Sequence, residues 1–187
     1  MFTQKFCRDN ASEGMFKGNA TIIGVMLYDS FAQIFLVRDF TSSAAKTAFL
    51  HHFLAIFGSA IGLAIGRYTT SVAFVTSFTE LTTLFVNLRW IMHFLGLTES
   101  PIYLLNGVCM AVGFLFARMG YQSYLFFAIV LPAIEETDWS RDAPLVSFWA
   151  KQSKYPYGLL LCLNTYWFYL MIAGIIKHMG KKKNKVD

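Results

Sequence analysis

Four ionisable residues lie in stretches that are otherwise apolar: Asp29, His51, His52 and Glu80. In the middle of a membrane each costs roughly 2.5 to 3.5 kcal/mol on insertion scales, so each calls for a reason to be there. A histidine beside a carboxylate can act as a general base. Once acylated it can also serve as a covalent carrier, with the carboxylate fixing its tautomer. One chemistry open to these residues is acyl transfer, with His51 or His52 as base or carrier and Asp29 or Glu80 as the orienting carboxylate; the residues do not name the donor, and acyl-CoA fits that alternative alone. Neutral polar residues surround them in sequence. Thr76, Glu80, Thr83 and Asn87 are spaced so that an α-helix would hold them within an arc of about 60°. Asn106 and Asn164 add amides on later segments. Asp29, His52 and the stripe are expected to line one internal cavity, with Thr76, Thr83, Asn87, Asn106 and Asn164 as substrate-binding groups. The plainer alternative is that they hydrogen-bond helix to helix.

Other chemistries find less support. Consecutive histidines on a helix project about 100° apart, and multi-histidine clusters are absent, so no metal is expected. Cys7, Cys109 and Cys162 are far apart and form no CxxC, which points to neither a disulfide framework nor a zinc site. The sequence has no GxSxG, no phosphate-binding Walker loop and no GxGxxG, so no nucleotide cofactor is expected. The net charge of +5 is concentrated in the tail from Lys181 to Asp187. Such a tail marks a cytoplasmic end near anionic headgroups rather than a nucleic-acid surface.

These residues need a membrane scaffold to position them. Of the 187 residues, 56% are hydrophobic and 14% charged, a balance outside the soluble range. The expected fold is an all-α polytopic transmembrane bundle of five or six spans. Residues 20–37 form the first span and residues 48–66 the second, where Gly58, Gly62 and Gly66 permit close helix packing. Residues 71–97 read as a tilted or bent third span, with Arg89 on the side opposite the stripe and able to snorkel to the interface. Pro101 opens a fourth span, closed at about Ala117 by Arg118. Residues 121–134, with Pro132, read as a short span, a re-entrant segment or an interfacial helix. A loop follows over 135–154, then a last span over 158–176. The expected division is a polar tail over 1–19, a membrane domain over 20–178 and a basic tail over 179–187. Six crossings would put both ends in the cytoplasm.

Taken together, Tyr28-Asp29, His51-His52, the run Phe78 to Trp90, Asn106-Gly107 with Phe114 and Arg118, and Asn164 with Trp167-Phe168 resemble the TLC domain of ceramide synthases and translocating-chain-associated membrane proteins. The form Glu-x-Thr-Thr-x-x-x-Asn-x-Arg-Trp is most similar to the small TLC domain-containing proteins. That resemblance implies a part in membrane lipid composition or lipid handling. It does not imply ceramide synthesis, because Glu80 and Asn87 stand where that branch continues with a His-Asp and a further Asp. The family usually has one or two helices ahead of the Asp29 span, so an incomplete bundle is expected here, closed by a partner chain or a second copy. A non-catalytic structural subunit or cargo-binding membrane protein is the other reading. Lys183 and Lys185 resemble a dilysine retrieval signal, which implies the endoplasmic reticulum.

Overall fold

The computed structural model describes residues 12–38, 40–66 and 68–183; the first eleven residues and the end of the basic tail, with Lys185, lie outside the described residues. Among the described residues every regular element is helical. Helix α1 spans Glu13–Ala32, with Ser12 as N-cap accepting from the Met15 amide, and continues as a π-helical turn over Gln33–Val37. Helix α2 spans Ser43–Ile65, capped by Ser42 and ended by Gly66 at φ 71°, a left-handed conformation that glycine adopts without steric cost.

Helix α3, Tyr68–Thr76, passes into a 3₁₀ segment over Ser77–Thr82 and then into α4, Thr83–Phe94. The hydroxyls supply a local cause for the change of winding. Thr76 donates to the Val72 carbonyl at 2.7 Å, Ser77 to Ala73 at 3.0 Å, and Thr82 to Thr79 at 2.8 Å; such back-bonding bends helices. Six residues wound at 120° instead of 100° turn the following helix by about 120°. The continuous α-helical stripe from Thr76 to Asn87 is therefore broken. Thr79 and Thr82, which eclipse at i and i+3 in a 3₁₀ helix, are buried, whereas Asn87 is exposed.

A second difference concerns Arg118. Helix α5, Pro101–Gly113, does not end near it. The chain continues through a π-helical stretch over Phe114–Tyr121, the short α6 at Gln122–Tyr124, a second π-helical stretch at Leu125–Val130, and α7 at Leu131–Glu136. Pro101–Glu136 is one apolar helical run of 36 residues, so residues 121–134 are not a separate re-entrant or interfacial piece. The expected loop also holds structure: a 3₁₀ turn at Trp139–Arg141 and helix α8 at Pro144–Gln152, followed by α9 at Lys154–Lys183.

Among the described residues four helices are long and apolar enough to cross a membrane: Ala45–Ile65, Thr70–Phe94, Pro101–Glu136 and Pro144–Ile176. Large apolar side chains such as Phe53, Phe94, Phe116 and Tyr169 are exposed, while Asn19, Gln122, Asn164 and Arg118 are buried. That inverted pattern suits lipid as solvent.

The chain divides into two compact units, Met1–Phe78 with Ser123–Leu160, and Thr79–Gln122 with Leu161–Asp187. In the first, α1 packs on α2 and α3, and α2 packs on α8. Asn19 donates to the Thr70 carbonyl at 2.9 Å, and Thr70 donates to Gly62 at 2.6 Å. Gly18 permits the close approach of α3, since a Cβ there would overlap the Phe74 ring. In the second unit α4 packs on α5, and Asn106 donates to the Phe85 carbonyl at 2.9 Å.

Candidate functional site

The second unit holds a charged cluster built on three stretches of sequence. Arg118, on the first π-helical stretch, is 3% exposed. Its Nε donates to Thr82 Oγ1 at 2.8 Å, its Nη1 to Asn164 Oδ1 at 3.2 Å, and its Nη2 to Glu80 Oε2 at 2.9 Å and Thr83 Oγ1 at 3.0 Å. Thr83 in turn donates to Glu80 Oε2 at 2.7 Å, and Asn164 donates to Gln122 Oε1 at 2.5 Å. The guanidinium also faces the Phe114 ring, 5.2 Å from its centroid.

The electrostatics follow from this geometry. A guanidinium stays protonated under any ordinary condition, so its burial depends on a matching negative charge and on acceptors for its remaining N–H groups. Glu80 supplies the charge, and Thr82, Thr83 and Asn164 supply acceptors. The 3₁₀ winding gives the cluster its reach, because Thr82 and Thr79 share one face while Glu80 and Thr83, three apart, share the next. With its side chain 21% exposed against 4% for Arg118, Glu80 forms the more open edge of the cluster. Such an edge can accept hydrogen bonds from a polar ligand; the rest of the network holds the arginine fixed.

The first unit holds the paired histidines. His51 is buried and His52 half-buried, with ring centroids 5.9 Å apart. His52 Nδ1 lies 3.0 Å from Ser30 Oγ, and that hydroxyl donates to the Met26 carbonyl at 2.8 Å. A hydroxyl has one proton, so with it committed to Met26 the ring nitrogen is the donor to Ser30. That direction fits the imidazole tautomer that carries its proton on Nδ1. Thr76 and Tyr157 share a hydrogen bond of 2.7 Å, with the Tyr157 ring stacked on Phe126. Asp29 is half-buried beside Ser30, and no hydrogen bond links its carboxylate to either histidine among the described residues.

Of the residues singled out in the sequence, Glu80, Thr83 and Asn164 come together around Arg118. Asn106 is buried but spends its amide on a neighbouring backbone carbonyl. Thr76, Asp29, His51 and His52 belong to the other unit, and Asn87 stands exposed. Sequence reasoning missed Arg118, Gln122 and Thr82 as site residues. The available signal was that apolar sequence resumes after Arg118, which is what a buried arginine inside a span looks like. Among the described residues no group of histidine, cysteine and acidic side chains is arranged to hold a metal.

Comparison with known proteins agrees with this architecture. A family model described as the TLC domain matches residues 4–173. TLC domain-containing protein 4 A of Dictyostelium discoideum is 29% identical over 104 residues, 56% of this chain and 37% of that protein, so the match spans little more than a third of the relative's length. No solved structure matches the chain. With the family model covering most of the sequence and four apolar helices of spanning length, the chain belongs to the TLC domain family of membrane proteins.

Proposed function

We propose that this TLC-domain protein acts on membrane lipid composition by handling the polar part of a lipid at the Arg118 cluster. One observation carries the reading: an ion pair between two apolar helical segments, satisfied by three further side chains. Neutral hydroxyls alone would join helices at lower cost, so an ion pair among neutral side chains supports a role for its charge. Glu80 and Thr83, at its open edge, are the groups we assign to ligand contact, with Asn164 holding Arg118 behind them. The test is mass spectrometry of lipids from cells lacking the protein, rescued at matched abundance with wild type or Thr83→Val, which keeps the ion pair. Loss of rescue by Thr83→Val supports the reading; full rescue by it ends the assignment.

The Ser30–His52 contact favours a second reading, acyl transfer from acyl-CoA, because a histidine that carries an acyl group needs a fixed ring. Replacing His51 and His52 together with Ala would abolish rescue under that reading and leave it intact under the first. For topology, we infer five crossings. A helical run from Pro101 to Glu136 cannot turn back, so it counts once, and α1 with its π-helical turn supplies the fifth. The lysine tail favours a cytoplasmic carboxyl end, and retrieval to the endoplasmic reticulum through Lys183 and Lys185 follows if both lysines changed to Ser release the protein to later compartments.

A further inference from the structure

A second arginine of the same unit has a different environment. Arg89 lies on α4, five residues before its end at Phe94, a rise of about 7.5 Å, and is half-buried. Its guanidinium lies over the Tyr103 ring, 4.0 Å from the centroid, and Nη1 donates to the Tyr103 carbonyl at 3.4 Å. Unlike Arg118, it forms no ion pair with any described residue, and most of its five N–H groups have no acceptor among the described residues. Gly107 makes the room: a Cβ there would stand 2.7 Å from Arg89 Nη1.

An arginine near the end of a membrane helix reaches the headgroup layer, where the abundant acceptor of matching geometry is phosphate. The surroundings are those of an amphiphile site. Trp90 and Phe94 stack at 5.9 Å and are exposed, a pairing that suits the headgroup level. One turn before Trp90 and on the same face of the helix, Val86 is also exposed and extends that apolar side towards the middle of the helix for acyl chains.

We infer that Arg89, held on Tyr103 beside Gly107, binds the phosphate of a phospholipid headgroup whose chains lie along α4. The inference needs the chain to be in a membrane but is independent of the lipid-handling reading at Arg118. The tyrosine platform holds the guanidinium plane, so affinity depends on fork geometry and not on charge alone.

The test is native mass spectrometry of the full chain in detergent, titrated with dioleoyl phosphatidic acid or with dioleoyl glycerol, which shares its chains and lacks the phosphate. Wild type should retain one phosphatidic acid at least tenfold more tightly than the glycerol. Arg89→Gln should lose that preference and Arg89→Lys should recover only part of it. Gly107→Ala, which keeps the arginine but displaces Nη1, should weaken binding severalfold with helical content unchanged. Equal retention of the two lipids by wild type, or unaltered preference in both Arg89→Gln and Gly107→Ala, would overturn the inference. Displacement of the lipid by millimolar inorganic phosphate would overturn it as well, by showing a site for the free anion.

Discussion

Arg118 Nη2 and Glu80 Oε2 lie 2.9 Å apart, 38 residues distant in sequence, and both are largely withdrawn from the surface. Removing one member of such a pair leaves the other charge uncompensated, at a cost of roughly 3–5 kcal/mol. Glu80→Gln and Arg118→Gln should each lower thermal stability in detergent sharply. The double variant Glu80→Leu, Arg118→Met should recover part of the loss, because apolar residues of similar volume remove the desolvation cost altogether. In the cycle closed by the double variant Glu80→Gln, Arg118→Gln, additive losses would show that the pair is not coupled.

Asn164 links the pair to Gln122, accepting from Arg118 and donating to Gln122. Asn164→Ala strands both partners and should destabilise by about 1–3 kcal/mol. Asn164→Asp should behave differently, since it keeps an acceptor for Arg118 and loses the donor to Gln122. Chemical denaturation of the two variants side by side would check this, and identical midpoints would count against the bridging role.

At the α1–α3 contact, Gly18→Ala places a methyl against the Phe74 ring and should cost about 1–3 kcal/mol. Gly24, on the same helix, has nothing within 4 Å of an added Cβ, so Gly24→Ala should be neutral or gain up to about 1 kcal/mol in helix propensity. Phe74→Leu should relieve the first substitution. Melting temperatures of the three single variants and of the Gly18→Ala, Phe74→Leu pair test the close approach.

The Ser30–His52 hydrogen bond makes a tautomer prediction. With the Ser30 proton on Met26, neutral His52 should carry its proton on Nδ1, and nitrogen-15 ring shifts report which nitrogen is protonated. Ser30→Ala removes the acceptor and should shift the ring toward the Nε2–H form. A wild-type ring already in that form would mean the hydroxyl points at the imidazole instead.

Apolar windows made most of the helices legible, because a segment long enough to span shows its length directly in composition. The Glu80–Thr83 spacing was legible too, since i and i+3 remain neighbours in both α and 3₁₀ winding. Thr76 leaves the stripe for a physical reason: its place assumed 100° per residue through Ser77–Thr82, where clustered hydroxyls change the winding, whereas Asn87, four residues after Thr83 on α4, keeps its angular place and is exposed. Arg118 reads as a span terminator because a lone charge in an apolar run usually marks its end. Only its partners, 38 residues earlier and 46 later, account for its burial, and single-sequence periodicity carries no information over that distance. The contact of Arg89 with the Tyr103 ring, on the next helix, was not legible either, because it depends on packing between segments.

The wide separation of the Arg118 partners has a consequence for biosynthesis. A chain made from its amino end delivers Glu80 to the membrane before Arg118, so the carboxylate waits alone until the arginine helix arrives to neutralise it. Asn164 emerges last, 46 residues after Arg118. A ribosome stalled before that point leaves an ion pair in lipid with one guanidinium donor lacking its acceptor. Fragments cut short between α7 and α9 should therefore be retained by insertion machinery and cleared by quality-control proteases, whereas extension past Asn164 releases the finished domain.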